Sequence, residues 1–352
     1  MINKGTCPFI HRDYLNTMNW RMDMLDIIFK PESFLYGLVL AMLLGTPAVS
    51  QQLAYEIIVA QDGSGDYTTI QAAIDGAKAY PDAQVVIRIK NGVYKEKVQV
   101  YSWNTKLSLI GEDRDKTIIT YDDYFDKIDL GRNSTFHTYT LQVRGNDFYA
   151  ENLTIENSAG PVGQAVALHV EADRATFFNC SFIGHQDTIL AAGEGFRQYF
   201  KNCYIEGTTD YIFGPATAVF DGCELHSKAN SYITAASTPE GQEYGFVFIN
   251  TRLTASEGVN KVYLGRPWRV HARTVFIHCE MGPFIRPEGW HNWSKPEAEQ
   301  LAFYAEYGSA GPGATPESRV AWAHQLKKRV LKEYSLDEIF QGWDASANID
   351  KQ

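Results

Sequence analysis

The chain has 352 residues, 45% hydrophobic and 21% charged, which is enough for a large buried core and too apolar for disorder over most of its length. A net charge of −10 with no Lys/Arg block argues against nucleic acid as a partner. An acidic protein also repels a polyanion at long range, which suits a substrate that starts out uncharged.

The first 50 residues differ from the rest. Phe34 to Leu44 is an apolar run, too short to cross a bilayer comfortably. It is followed by Ala48-Val49-Ser50, a small-x-small site, and then Gln51. This reads as the hydrophobic stretch and cleavage site of a signal peptide, with a membrane-anchored N-terminus as the alternative. The segment ahead of it carries Asp13, Asp23 and Asp26 and lacks a basic lead, as a start codon assigned too far upstream would leave it, with Met22 or Met24 as the true start. Residues 1–50 are therefore expected to be a leader and 51–352 a single domain. The expected mature protein is secreted, periplasmic or at the cell surface, with no stable membrane insertion.

Past residue 55 the spacing predicts one short amphipathic helix, 71–79, apolar at Ala73, Ile74 and Ala77. The rest is short β-branched and aromatic runs ended by Gly or Asn. Those runs repeat. Ala150 to Ile155 aligns with runs that begin at Phe177, Phe200, Phe220, Phe248 and Phe276. Their third residues are Asn152, Asn179, Asn202, Gly222, Asn250 and His278, in steps of 27, 23, 20, 28 and 28 residues. A strand unit that recurs with variable loops is the signature of a β-solenoid, in which each coil buries its apolar face only against its neighbours. The fold class is accordingly all-β, a right-handed parallel β-helix.

One residue after the last five of those positions come Cys180, Cys203, Cys223, Thr251 and Cys279, an expected interior ladder. Coils about 4.8 Å apart permit a disulfide between neighbours. The burial tendency of free Cys favours free thiols. The tail, residues 317–326 and 331–340, reads as loop and short helix covering the C-terminal end of the solenoid, whose strand edges would otherwise pair with other chains. The helix near residue 74 would cap the other end.

Asp187 lies seven residues after Cys180, and Asp210 seven after Cys203. The repeat stacks them on one face, roughly one coil apart. Two carboxylates that close do not both ionise freely, so one keeps its proton near neutral pH. That is the arrangement needed for acid/base and nucleophilic chemistry; two solvated loop residues are the plain alternative. Gly184-His-Gln-Asp-Thr188 and Gly207-Thr-Thr-Asp-Tyr-Ile-Phe-Gly214 are rich in Gly and polar residues where the flanking strands are apolar. Gln164 and Gln186 add amide donors, and Leu264-Gly-Arg-Pro-Trp268 brings a guanidinium and an indole together.

With Gly92-Val-Tyr-Lys-Glu96 and Gln164-Ala-Val-Ala-Leu168, these segments resemble the pectin methylesterase family in order and spacing, over about residues 56–343. The resemblance implies hydrolysis of the methyl esters of galacturonosyl residues in pectin, that is, methyl-esterified homogalacturonan, to pectate and methanol. It implies Asp210 as nucleophile, Asp187 as general acid and then base, Gln164 and Gln186 as oxyanion donors, and Arg266 orienting Asp210. Trp268 and Phe213 resemble sugar-facing aromatics, with Trp290 and Trp293 as further candidates. No inhibitor-like pro-region is recognised, which reads as a bacterial form. Two departures stand out: Ile189-Leu190 replaces a segment that often holds a Tyr, and His185 replaces a commoner aromatic, as a substrate contact or a hydrogen-bonded loop residue. No His, Cys or carboxylate set has metal-ligand spacing, so no metal or other cofactor is expected. The enzyme is expected to act as a monomer.

Two rival classes remain. Paired carboxylates also serve glycosidases, and Arg88-Ile-Lys90 mimics a polygalacturonase tripeptide, but no Asn-Thr-Asp or Gly-His-Gly segment accompanies it. A pectate lyase would want a calcium-binding cluster of acids. A non-catalytic β-helix would not need Asp187, Asp210, Gln164 and Arg266 together.

Overall fold

The computed structural model describes residues 55–349; the leader expected at 1–50 lies outside them. Short strands wind into a parallel β-helix whose coils pair in three sheets, of eleven, eight and seven strands among the described residues. Every pairing between named strands is parallel, and the register between consecutive coils holds repeat against repeat: Phe177 pairs with Phe200, Phe200 with Phe220, Phe220 with Phe248, and Phe248 with Phe276.

That register builds the core as ladders. The rings of Phe177, Phe200, Phe220, Phe248 and Phe276 stack face to face at centroid spacings of 4.8, 4.6, 4.7 and 4.4 Å. Each stacked pair adds about 0.5–1.5 kcal/mol beyond the area it buries. Asn152, Asn179, Asn202, Gly222, Asn250 and His278 form the corner between the eleven- and eight-stranded sheets, and all have φ between +49° and +63°. Asn and Gly tolerate this left-handed conformation, which explains their recurrence at the third position of the repeat. The next position points inward. Cys180, Cys203, Cys223 and Cys279 are free and buried, as the sequence favours. Thiols and hydroxyl alike donate to the coil before: Cys203 Sγ to the Phe177 carbonyl at 3.4 Å, Cys223 Sγ to Phe200 at 3.4 Å, and Thr251 Oγ1 to Phe220 at 3.1 Å.

The single helix expected at 71–79 forms as Ile70–Gly76, with Ile70, Ala73 and Ile74 buried at the N-terminal end of the core. It stops earlier than its apolar pattern suggests because the chain turns extended at Ala77. Its orphan N–H groups explain one motif: both Glu96 carboxylate oxygens accept from the backbone, of Ile70 and Gln71, at 3.0 Å. The end of Gly92-Val-Tyr-Lys-Glu96 is thus a helix cap rather than a site residue.

The tail divides in two. Strand His324–Gln325 pairs with Phe303–Tyr307 and extends the eleven-stranded sheet at its C-terminal edge. Helix Leu336–Phe340 does not cover that end. It turns back along the outer face of the same sheet, with Phe340 edge-on to Tyr199 at 5.9 Å and Ile339 clustered with Val219, Val247 and Val275. The outward residues of this sheet form an apolar stripe, and the tail shields it from water.

Burial pushes the Cys180 and Cys279 thiols up to about 12. In a chain lacking residues 1–50, a thiol reagent at neutral pH should find no reactive Cys in the native state and four in guanidinium; fewer than four would reveal a disulfide.

Candidate active site

Two strands of the seven-stranded sheet, Ile189–Ala191 and Ile212–Gly214, each begin two residues after an aspartate. Ile189 pairs with Ile212, so Asp187 and Asp210 occupy the same register on consecutive coils, and Ile212 with Thr234 puts Tyr232 next in that column. The backbone hydrogen bonds continue through them, Asp187 N to Thr209 O at 3.0 Å and Asp210 N to Tyr232 O at 2.8 Å. Both aspartates have left-handed φ, +67° and +48°, a conformation that clusters at functional sites. The turn before Asp210 closes tightly: a Cβ on Gly207 would come within 2.2 Å of the Tyr211 Cβ, so only glycine fits.

The carboxyl groups are buried, with 8% and 5% of Asp187 and Asp210 exposed, but they are not equivalent. Arg266 grips Asp210 with two nitrogens, Nε to Oδ1 at 2.9 Å and a terminal nitrogen to Oδ2 at 2.7 Å. Among the described residues no side chain bonds to the Asp187 carboxyl. Burial raises the pKa of Asp187 well above the usual carboxylate range, the neighbouring Asp210 charge raises it further, and Arg266 opposes both. Burial raises Asp210 as well, with the Arg266 hydrogen bonds and charge pulling it back. Asp210 is therefore the member that carries the negative charge, and Asp187 the one that keeps its proton.

Arg266 is itself held on both faces, by Trp293 with the guanidinium 3.6 Å from the ring centroid and by Tyr232 at 4.0 Å. Two aromatic faces fix the plane of the fork that Asp210 accepts. Lys295 donates to the carbonyls of Pro267 and Trp268 at 2.7 and 3.0 Å and lies over Trp293, tying that ring to the Arg266 segment. Gln164 and Gln186 pair as an isolated parallel bridge. Gln164 does not open a regular strand, because Leu168–Val170 begins four residues later. Neither side-chain amide is engaged by another described residue, and both are partly exposed.

A cleft of about 870 Å³ lies beside the pair, along the outer face of the seven-stranded sheet. Leu190 and Trp268 line it together with Phe136, His169 and Lys295; neither aspartate is among the lining residues, and Leu190, three residues after Asp187, is the link between the pair and the cleft. Phe213, 5% exposed, lies tilted against Trp268 with ring centroids 5.8 Å apart, in one cluster with Val166, Leu190 and Ala235. Trp290 is no sugar contact. It is 1% exposed and stacked on Tyr304 at 4.3 Å in the core. Trp293 serves Arg266. His185 does not line the cleft; its ring nitrogen lies 3.4 Å from Lys228 Nζ, and burial with the Lys228 charge lowers its pKa. Sequence reasoning missed Tyr232, although its place one coil after Asp210 was readable from the repeat.

The pectinesterase family model matches residues 56–342. Pectinesterase 31 of Arabidopsis thaliana is 41% identical over 277 residues, covering 76% of this chain and 86% of that protein. The pectin methylesterase from carrot superposes with a TM-score of 0.77 at 32% identity, covering 83% of this chain and 95% of its own. The pectin methylesterase PemA from Erwinia chrysanthemi gives 0.74 at 30% identity, with 83% and 99% covered. The chain spans about half the length of the Arabidopsis relatives named pectinesterase/pectinesterase inhibitor. These identities do not support the bacterial form that the sequence suggested.

The raised Asp187 carboxyl makes a prediction about stability. A carboxyl whose pKa is higher folded than unfolded costs stability as pH climbs from about 4 through the folded value, because the unfolded chain loses its proton first. Asp187→Asn removes that loss. The melting temperature of the variant relative to wild type should rise between pH 4 and pH 8; a constant difference would mean that Asp187 is not held protonated.

Proposed function

The chain belongs to the pectinesterase family, and from that premise we propose how its own residues carry the reaction. It is a carboxylic ester hydrolase that removes methyl groups from pectin. The observation that supports the division of roles is the asymmetry of the acid pair: Asp210 is gripped by Arg266, and no side chain among the described residues bonds to the Asp187 carboxyl.

In this reading an Asp210 oxygen attacks the C6 carbonyl carbon of a methyl galacturonate. The π electrons move to the carbonyl oxygen, and the Gln164 and Gln186 amides donate to the oxyanion that forms. Asp187 gives its proton to the methoxy oxygen as the C–O bond breaks, so methanol leaves and an Asp210 acyl anhydride remains. Asp187, now a carboxylate, takes a proton from water. The resulting hydroxide attacks the acyl carbon and the anhydride opens, which regenerates the Asp210 carboxylate and frees galacturonic acid; this gives its proton to solvent and leaves as the carboxylate, with Asp187 again protonated. Arg266 stabilises Asp210 as nucleophile and again as leaving group. Trp268 forms the aromatic wall for the sugar. A monomer contains every group this scheme uses.

The leader belongs to the same proposal. Among the described residues no helix is long and apolar enough to cross a membrane, and a pectin-acting enzyme works outside the cell. Mass spectrometry of exported protein should find a start at or near Gln51; intact residues 1–30 in the mature form would overturn it.

Methanol release tests the chemistry. Asp210→Ala should abolish it with an unchanged circular dichroism spectrum, and near wild-type turnover would remove Asp210 from the nucleophile role. Gln164→Ala should lower kcat by about 10²–10³ with little change in KM, the mark of a donor that acts in the transition state. A tenfold rise in KM at constant kcat would make Gln164 a ground-state sugar contact instead.

A further inference from the structure

The residues that follow the strands of the seven-stranded sheet form one wall of the cleft. Trp268, Ser237, Pro215, Ala192, Glu171 and Arg144 come just beyond six consecutive strands. The seventh strand, Val98–Val100, is the edge of the sheet at the N-terminal end, and Tyr101 follows it. The register continues to this edge, with Val100 paired to Val143 and Arg144 N donating to the Val100 carbonyl at 2.9 Å. Tyr101 is thus the next member of the wall.

The outer face of the sheet is continuous as well. Gln99 donates to Gln142, which lies 3.1 Å from His169 on the cleft floor. Tyr139 packs edge-on to His169 at 6.2 Å. Burial raises the Tyr139 phenol, Arg144 opposes the rise, and the Tyr101 phenol lies near enough to add to it. Aromatic surface therefore runs from Trp268 toward Tyr101. There Trp103 lies flat on the Tyr101 ring, centroids 4.7 Å apart and planes at 13°. Tyr101 covers one face of the indole, yet 44% of Trp103 is exposed, which leaves the other face open to water.

We propose that the Tyr101–Trp103 stack is a distal sugar-binding platform, which takes a galacturonate unit of the same pectin chain whose ester lies at the acid pair. The proposal rests on the pectinesterase reading and adds a subsite to it. From the strand after Asp187 to the strand before Tyr101 is three strand steps, about 14 Å. A polymer laid across the sheet covers that span, and a short oligomer seated at the acid pair falls short of it. An indole held flat by a second ring presents a preorganised apolar face to the C–H side of a sugar, with little ordering left to do on binding.

The test compares chain lengths. Methanol release is measured for wild type, Trp103→Ala and Trp103→Phe on highly esterified pectin and on a methyl-esterified trigalacturonate, with a thermal melt of each protein. Trp103→Ala should raise KM on the polymer on the order of three- to tenfold at constant kcat and leave the trimer parameters unchanged. Trp103→Phe, which keeps a ring, should lie near wild type. Should the alanine variant fail to fold, Trp103→Gln, which keeps the bulk without the ring, carries the same comparison. An unchanged polymer KM, or an equal rise on both substrates, overturns the platform. Wild-type methanol release from the trimer tests the pectinesterase reading separately.

Discussion

In-register parallel stacking is the constraint on which the rest of this molecule depends. A coil of the helix sets each residue on its counterpart in the coil before, so a residue type that works once works again at the next turn. The five-ring phenylalanine stack, the left-handed asparagine corner and the thiol ladder are three results of that rule. The acid pair is a fourth, and the only one of these that stability opposes. Two carboxyl groups in adjacent coils, both buried, raise each other's cost of ionisation. Ordinary folding would separate them, but the strands that follow, Ile189–Ala191 and Ile212–Gly214, are locked by pairing on either side.

Stacking alone would make the two acids equal, and equal acids cannot divide the work of nucleophile and proton donor. The coil that ends at Gly265 breaks the symmetry by sending Arg266 back across Tyr232 to Asp210. Burial still outweighs the arginine, since the Asp210 pKa lies above its ordinary value. The charge on Asp210 therefore depends on how well the guanidinium is held, which gives the Tyr232 and Trp293 clamp an electrostatic meaning beyond packing.

What the sequence disclosed follows from the same rule. Asn152, Phe177, Cys180 and their counterparts were legible because they repeat, and the two acids because they share a phase. Residues that act across coils were harder to read. Tyr232 sits in the column of the acids but is not an acid, and Trp293 reaches Arg266 through a loop. Trp290 belongs to the core because its indole stacks on Tyr304, a contact between residues 14 apart that no repeat discloses. The helix overran its true end because Ala77 suits a helix and only the tertiary path of the chain turns it extended. The tail was placed at the end of the solenoid because an open strand edge is an obvious liability, while the apolar stripe that recruits Phe340 emerges only when Tyr199, Val219, Val247 and Val275 are aligned by register.

The three outer faces meet water in different ways, and the difference locates the cleft. The eleven-stranded sheet presents apolar residues outward and is covered by the chain's own tail. The eight-stranded sheet presents a polar lattice, in which Lys228 bonds Glu206 at 2.8 Å, Tyr204 bonds the same carboxylate at 2.9 Å, and Arg252 pairs with Glu224; such a face needs no partner. On the seven-stranded sheet the polar row is short, Gln99, Gln142 and His169, and the tail does not reach the apolar patch beside it. Val166, Leu190, Phe213 and Ala235 form its outward cluster, flanked by Tyr139 and Trp268. His169, between them, is driven down to about 4 by burial and so stays neutral above that pH. A face that is apolar, aromatic and uncharged at its floor suits an esterified galacturonan better than a fully ionised one. The acid pair comes two residues before two strands of that sheet, so the surface proposed to bind the ester and the groups proposed to hydrolyse it are set by one register.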